Sequence, residues 1–241
     1  MHVWFVTPAW RRFAVTRLAF AQRRHLCDEL AVRGIAANCV VIADDENIEI
    51  AGEFGFPAIE MDNTYLGKKV NAGFRYAAEQ GADFVAFCGS DAWMHEDLFD
   101  ALLIDTQPPI ISGHAMAVVD LENARMRNAS TRGRYGCPPW FIPRWVLEAS
   151  QYHPVSGSMT RGLELGIVHG LNCAPEWKFH DPHPLARIDF KSDVNMTPYA
   201  AAGNPRAQEV DAWGSLAEHY PQHLIALAMK THLNQPELVT A

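Results

Sequence analysis

The first hundred residues alternate between two hydrophobic patterns, and this alternation restricts the fold more than any other feature. Apolar runs rich in β-branched and aromatic residues predict strands at 3–7, 37–43, 56–60 and 83–88. Helical spacing of apolar residues predicts helices at 16–33, 66–77 and 95–104. Strands and helices that alternate in this way form a parallel sheet covered by helices. We therefore expect an α/β fold.

The second half of the chain is less regular. Residues 109–120 predict either one strand or two strands separated by Gly113. Helices are predicted at 144–150, at 156–169 and, with an interruption at Pro221, at 207–233. Because the chain has no internal repeat and no low-complexity linker, we expect one domain over 1–241, with halves at 1–105 and 106–241.

Composition excludes several classes of protein. The chain has 241 residues, 49% hydrophobic and 20% charged, which is ordinary for a soluble globular protein. Its formal charge of −8 argues against tight non-specific binding to nucleic acid, and no apolar run is long enough to cross a membrane. The five cysteines are scattered without Cys-x-x-Cys spacing. Reduced thiols and a cytoplasmic location are therefore expected.

Polar residues follow three of the predicted strands, at Thr7-Pro8, Asp44-Asp45 and Ser90-Asp91. Ligands of open α/β sheets bind beyond the carboxyl ends of the strands. The chain has neither a Gly-x-Gly-x-x-Gly motif after its first strand nor a P-loop, which disfavours both of those phosphate sites. Carboxylates at the strand ends instead favour a nucleotide held through a divalent cation, since hard cations prefer oxygen ligands.

The block GKKVNAGFRYAAEQGADFVAFCGSDAW, together with Asp44-Asp45 before it, resembles the nucleotide-sugar half of GT-A-fold glycosyltransferases. In particular, it resembles the large inverting group similar to family two, whose pattern has an Arg-Asn-x-Gly helix, a hydrophobic strand and an Asp-x-Asp turn. Asn71 and Gly73 match that pattern, whereas Val70 replaces the arginine and Gly89 the first aspartate. Small phage-encoded glycosyltransferases are similar. The resemblance covers about the first hundred residues.

This resemblance implies a GT-A-type Rossmann-like mixed sheet flanked by helices, with a C-terminal helical region. It also implies transfer of a hexosyl or pentosyl group from a nucleoside diphosphate, with a UDP-sugar as the usual donor.

The resemblance further implies a role for individual residues. Substrate contacts are expected at the strand ends and at the start of the helix 66–77: Thr7, Pro8, Asp44, Asp45, Lys68, Lys69, Asn71, Ser90 and Trp93. Thr7 and Asp44 or Asp45 would contact the nucleoside. Lys68, Lys69 or Asn71 would lie near the ribose or the diphosphate. Asp91 would bind Mn²⁺ or Mg²⁺. Alternatively, Asp91 only caps the helix that follows it.

A further metal ligand is expected from the stretch WKFHDPHPLARIDFK. His180 or His183 resembles the C-terminal histidine that several glycosyltransferases of this fold supply, and Asp181 between them is a third candidate. Lys191 would then reach the leaving diphosphate. The alternative is that the two histidines lie in an exposed loop without a role.

The acceptor side offers two candidates. Glu164 is the only acidic residue between Glu148 and Glu176, and it is the candidate general base that inverting transfer requires; alternatively it lies on the surface of an amphipathic helix. Arg132 and Arg134 belong to RMRNASTRGRYG, which predicts a local anion site for a diphosphate, a phosphorylated acceptor or a nucleic acid. A hydroxymethylated base flipped out of DNA is one acceptor that fits. Alternatively, this segment is a solvated loop without a role.

Three functions remain open from the sequence. The first is a metal-dependent glycosyltransferase. The second is a non-catalytic module that binds a nucleotide sugar, which Gly89 motivates. The third is a nucleotidyltransferase, which would need a glycine-rich basic loop after the first strand; TPAWRR supplies Arg11 and Arg12 there but no glycine.

Overall fold

The computed structural model describes residues 1–103, 109–130, 137–159, 167, 170–171, 177–192 and 208–233. Its strands are β1 (His2–Pro8), β2 (Ala36–Ala43), β3 (Ala58–Glu60), β4 (Phe84–Phe87), β5 (Ala92–Met94), β6 (Ile110–Gly113), β7 (Ala115–Asp120), β8 (Arg125–Ser130), β9 (Cys137–Pro143), β10 (Trp177–Phe179), β11 (Arg187–Lys191) and β12 (Val210–Asp211). Its helices are α1 (Phe13–Val32), α2 (Asn47–Glu53), α3 (Leu66–Glu79), α4 (Arg144–Ala149), α5 (Ala212–Ala217) and α6 (Gln222–Leu233), with a 3₁₀ helix at Glu96–Leu103.

A seven-stranded mixed sheet has the order β10-β6-β9-β4-β1-β2-β3. β1 is parallel to both β2 and β4, and β2 is parallel to β3, as the strand–helix alternation predicts. β9 lies antiparallel between β4 and β6, so the second half of the chain completes the sheet that the first half begins. The predicted fold class, a mixed sheet flanked by helices, is confirmed.

β1 shows why its sequence is apolar at nearly every position. Val3 and Phe5 belong to the core that faces α1, α2 and the 3₁₀ helix, whereas Trp4 and Val6 belong to the core that faces α3 and α4. Successive side chains of a strand point to opposite faces. Since both faces are covered by helices, an uninterrupted apolar run results.

A second sheet has the order β12-β8-β7-β11-β5 and was not predicted from the sequence. The segment 109–120 divides near Gly113 into β6 and β7, which enter different sheets. Trp93 and Phe190 of the second sheet pack with Leu18 of α1 and Leu224 of α6 in a third core. This core attaches the second sheet and the C-terminal helices to the first helix of the chain.

Two glycines end predicted helices through a backbone conformation that other residues rarely adopt. Gly34 after α1 has φ 75° and Gly81 after α3 has φ 79°. Pro221 separates α5 from α6, as expected. The predicted helix at 95–104 is instead a 3₁₀ helix, and the predicted helix at 156–169 lies largely outside the described residues.

Among the described residues, no helix has both the length and the apolar character needed to cross a membrane. Cys27, Cys39 and Cys88 are buried free thiols.

Gly73 brings α3 close to the first sheet. A Cβ at Gly73 would meet the side chains of Val6 and Ile42. We therefore expect Gly73→Ala to lower the free energy of unfolding by about 1–3 kcal/mol, because the overpacked side chains must shift. Gly52→Ala is the matched control in α2, since a Cβ there meets nothing within 4 Å. It should be neutral or stabilising by up to about 1 kcal/mol. Urea unfolding measures both, and equal effects would contradict the packing argument.

Candidate functional site

The segments that follow β1, β2 and β4 meet at one edge of the first sheet. The backbone N–H of Arg11 donates to Asp45 Oδ2 at 2.7 Å, which joins the ends of β1 and β2. The Arg12 guanidinium donates to Asp91 Oδ2 at 2.7 Å, which joins the ends of β1 and β4. The convergence of these three polar strand ends follows from the parallel pairing of the strands.

The turn that carries Arg11 and Arg12 has a strained backbone. Both residues are left-handed, with φ of 53° and 52°, a conformation that costs a non-glycine residue about 1 kcal/mol or more. The hydrogen bonds to Asp45 and Asp91 hold the turn, and α1 begins directly after it at Phe13. The position of the Arg12 guanidinium is therefore set by the fold rather than by a freely rotating surface side chain.

Five side chains form what we call the Asp91 cluster: Arg12, Ser90, Asp91, Asp189 and Lys191. Arg12 donates to Ser90 Oγ at 3.1 Å as well as to Asp91. The Lys191 ammonium lies 2.6 Å from Asp189 Oδ2 and 3.9 Å from Asp91 Oδ2. Asp189 Oδ1 is buried and has no hydrogen-bond partner among the described residues. Two carboxylates and two cations thus share a mostly buried site.

The two carboxylates of the cluster titrate in opposite directions. Burial opposes the charge of Asp91, but Arg12 and Lys191 outweigh it and hold the pKa of Asp91 below its usual range. Burial and the neighbouring charge of Asp91 raise the pKa of Asp189 to about 7. Asp91 is therefore the permanent anion of the pair, whereas Asp189 changes charge near neutral pH.

Asp189 was not predicted as a site residue, although β11 contains a readable signal. Ile188 and Phe190 enter the third core, so the alternating residues Arg187, Asp189 and Lys191 share the other face of the strand. Asp189 pairs with Ala92 of β5, and the Phe190 N–H donates to the backbone oxygen of Asp91. This antiparallel pairing brings Asp189 and Lys191 to Asp91.

A second pair of charges lies at the end of β2. The Lys69 ammonium is fully buried, 3.7 Å from Asp44 Oδ1 and 3.3 Å from the carbonyl oxygen of Ala9. Burial lowers the pKa of Lys69, and the nearby carboxylate of Asp44 opposes that shift. Asp44 and Lys69 therefore lie at the strand-end edge, and their predicted contacts with a substrate stay predictions.

Three neighbouring side chains are more open. Lys68 is exposed and lies over the ring of Tyr65, at 4.8 Å. Trp10, which was not predicted, is 41% exposed, and the Arg11 guanidinium lies 4.4 Å from its ring centre. Pro8 is half-buried at the end of β1.

Three predicted substrate contacts are instead buried structural residues. Thr7 Oγ1 accepts a 2.6 Å hydrogen bond from the buried Arg23 guanidinium. The Asn71 side chain donates to the backbone oxygen of Val155 at 2.7 Å and accepts from its N–H at 3.3 Å. Trp93 is fully buried in the third core. These residues hold the elements around the site together and do not line its open edge.

The two predicted histidines lie away from Asp91. His180 Nε2 is 3.0 Å from the backbone oxygen of Asp97, and His183 lies in a group with His95 and Asp97 whose candidate ligand atoms are all within 4.8 Å of one another. β5 separates this group from Asp91, and its residues span about 3.3 Å each. The structure therefore does not assemble the predicted set of Asp91 with His180 or His183.

Asp181, the third candidate in that stretch, accepts hydrogen bonds from the backbone of His114 and Ala115 and from Arg187. Glu164, Arg132 and Arg134 lie outside the described residues, so their predicted roles stay predictions.

The pKa of Asp189 gives a prediction for stability without metal. The unfolded chain releases this proton near pH 4, whereas the native state keeps it until about pH 7. The contribution of Asp189 to stability should therefore fall as pH rises through this window and then level off. Asp189→Asn lacks the proton, so its stability relative to wild type should rise from about pH 5 to about pH 7.

Urea unfolding in EDTA at several pH values measures this difference. Asp28→Asn is the control, because Asp28 is an exposed carboxylate paired with Arg24. Its difference from wild type should not follow the same pH trend. Parallel pH curves for wild type and Asp189→Asn would contradict the raised pKa.

Comparison with known proteins tests the fold. No known family's sequence profile matches the chain, and no curated protein matches it. Residues 1–349 of S. aureus TarS in complex with UDP superpose with a TM-score of 0.53 and 13% identity, over 80% of this chain and 61% of that one. The chain thus spans less than two thirds of that TarS fragment.

Two other solved structures are similar over nearly the whole chain. The mannosyltransferase PcManGT from Pyrobaculum calidifontis, in complex with GDP-Man and Mn²⁺, gives a TM-score of 0.53 and 11% identity over 98% of this chain and 71% of that one. A cytidylyltransferase from Leptospira borgpetersenii gives a TM-score of 0.51 and 8% identity over 99% of this chain and 95% of that one. At this level of identity the similarity concerns the fold, and it confirms the GT-A-type fold that the sequence predicts.

Proposed function

We propose that the chain is a glycosyltransferase that moves a sugar from a nucleoside diphosphate to an acceptor hydroxyl. The observation that carries the proposal is the Asp91 cluster, which places two cations and two carboxylates where three parallel strands end. In a GT-A-type fold this edge is where a ligand is expected. TarS binds UDP and PcManGT binds GDP-Man with Mn²⁺, and both have this fold.

The charges of the cluster suit a diphosphate. The protein as a whole is acidic, with a formal charge of −8, but Arg12 and Lys191 bring two cations to the strand ends, where they pair with Asp91 and Asp189. A guanidinium forms strong charge-assisted hydrogen bonds with phosphate oxygens. When the donor binds, Arg12 and Lys191 would contact its diphosphate, and they would stabilise the negative charge that develops as the bond to the sugar breaks.

Trp10 and Lys68 extend the same edge. We place the nucleobase against Trp10, because an exposed indole provides a flat surface on which a base stacks. Asp44, next to the buried Lys69, would accept hydrogen bonds from the ribose or the base. Lys68 is the exposed cation beside this region.

A divalent ion fits the carboxylates of the cluster. Asp189 Oδ1 is buried without a hydrogen-bond partner among the described residues, and oxygen ligands from Asp91 and Asp189 suit Mn²⁺ or Mg²⁺. Asp189 would thus supply the ligand that was expected from His180 or His183. Bound there, the ion supplies a Lewis acid for the leaving diphosphate. Lys191 keeps both carboxylates in place through its contacts with Asp91 and Asp189.

The transfer step forms a bond between the acceptor oxygen and the anomeric carbon, and it breaks the bond from that carbon to the diphosphate. The acceptor proton passes to a general base, for which Glu164 remains the candidate from the sequence. Because binding of the sugar nucleotide does not require the acceptor, donor binding can be tested before the acceptor is known. A modified base in DNA is an acceptor suggested only by Arg132 and Arg134.

The donor site predicts selective stabilisation by one nucleotide. UDP, GDP and CDP, with and without Mn²⁺, are compared by thermal unfolding, since a ligand of the folded state raises its melting temperature. One nucleotide should raise the melting temperature in a Mn²⁺-dependent manner, and Asp91→Asn should abolish that shift. Asp83→Asn, an exposed carboxylate away from the cluster, should keep it. No shift with any nucleotide would contradict the proposal.

Trp10→Ala should weaken the affinity for that nucleotide by about 1–3 kcal/mol, the usual contribution of one base stacked on an aromatic ring. Trp10→Phe should retain most of the affinity, because it keeps an aromatic face. Calorimetric titration of the folded variants measures both. Unchanged affinity in Trp10→Ala would place the base elsewhere.

Slow hydrolysis of the donor separates an enzyme from a binding module. A glycosyltransferase should release nucleoside diphosphate from its sugar nucleotide without an acceptor, whereas a module that has lost its chemistry would only bind. Nucleotidyl transfer is the second candidate, favoured by the similarity to the cytidylyltransferase and by Arg12 after β1. It would show binding of a nucleoside triphosphate with release of pyrophosphate.

A further inference from the structure

We propose that the chain binds a second divalent ion, of the zinc type, through His95, Asp97 and His183. These residues lie at the opposite end of β5 from Asp91. Their candidate ligand atoms are all within 4.8 Å of one another. Two imidazoles and one carboxylate, with a fourth position left for water, form a common zinc ligand set. The site is separate from the proposed donor site and does not depend on the proposed function.

The hydrogen bonds of His95 decide which ring nitrogen carries the lone pair that an ion would bind in place of a hydrogen bond. His95 Nε2 lies 3.1 Å from the backbone oxygen of His219, and a contact with a carbonyl requires a proton on that nitrogen. His95 Nδ1 then carries the lone pair and accepts from the backbone N–H of Asp97 at 3.3 Å. A carbonyl that fixes the tautomer of a histidine in this way is the usual outer partner of a metal ligand.

Asp97 places a carboxylate oxygen against that lone pair. Asp97 Oδ2 lies 3.4 Å from His95 Nδ1. If Nδ1 is unprotonated, two electron-rich atoms face each other, an arrangement that a shared cation stabilises. With bonds of about 2.0–2.1 Å, tetrahedral zinc ligands lie roughly 3.3 Å apart, which matches this spacing. The other oxygen of Asp97 faces Arg33 at 3.6 Å, which orients the carboxylate.

His183 supplies the third ligand. Both of its ring nitrogens are buried, and neither has a hydrogen-bond partner among the described residues. Its ring packs edge-on against His95 at 4.6 Å and is stacked on His219 at 4.5 Å. A buried imidazole without a partner is costly unless something binds it.

The kind of ion follows from the ligands. Imidazole nitrogen favours zinc over manganese and magnesium, which prefer oxygen. The ion would connect the 3₁₀ helix, which carries Asp97, with the segment before β11, which carries His183. Through His219 the connection extends to the turn between α5 and α6. We therefore expect zinc to stabilise the fold rather than to take part in the transfer.

The test is a calorimetric titration of the metal-free full chain with Zn²⁺. Wild type should bind one equivalent at this site. His183→Ala and Asp97→Asn should each weaken that binding by at least about 100-fold, since the loss of an outer partner alone costs about 10- to 100-fold. His153→Ala, an exposed histidine outside the group, is the matched control and should bind like wild type. Circular dichroism checks that each variant is folded.

Two further variants separate this site from the donor site. Asp91→Asn should keep the zinc equivalent, and folded His183→Ala should keep any nucleotide-dependent shift in melting temperature. Absence of stoichiometric zinc binding to wild type would overturn the inference. Zinc binding that survives both His183→Ala and Asp97→Asn, or that disappears in Asp91→Asn, would also overturn it. If Asp97→Asn fails to fold, His183→Ala alone decides the outcome.

Discussion

The ion pair between Arg12 and Asp91 is the contact on which the candidate site depends. It joins the turn after β1 to the turn after β4, and Lys191 brings the same carboxylate into contact with β11. Asp91 and Asp189 could not both carry negative charge in a mostly buried site without these cations. The strained backbone at Arg11 and Arg12 persists because the hydrogen bonds to Asp45 and Asp91 hold it.

This constraint explains the second sheet. Asp189 and Lys191 come from β11, about a hundred residues after Asp91 in the sequence, and they reach it because β11 pairs with the short β5 that follows Asp91. The third core then holds β11 in place, with Trp93 packed edge-on against Phe190 at 4.9 Å and Leu18 of α1 beside them. Trp93 was predicted to contact substrate, but it is buried in the third core, where it packs against β11 and so helps to position Asp189 and Lys191.

The sequence predicts the four parallel strands β1–β4 of the first sheet well because their signals are local, but it does not predict β9 and β10 of the same sheet. The apolar runs of β1 and β2, the glycines after α1 and α3 and the polar strand ends can each be read from a few neighbouring residues. The second sheet depends on pairing between distant segments, and β5 and β12 have only three and two residues. Periodicity cannot detect elements that short. Asn71 shows that a matched motif does not fix the role of a side chain. It occupies the expected position in the motif, but its side chain binds the backbone of Val155.

β5 therefore separates two groups of side chains with different chemistry. Before it, Asp91 and Asp189 offer carboxylate oxygens beside Arg12 and Lys191; after it, His95 and His183 offer imidazole nitrogens beside one carboxylate. Hard ions and diphosphates suit the first group, and borderline ions such as zinc suit the second. The sequence suggested one ion shared by Asp91 and a C-terminal histidine. In the fold, the length of β5 separates Asp91 from His183. Ligand type, rather than affinity alone, would then direct each ion to its own end of β5.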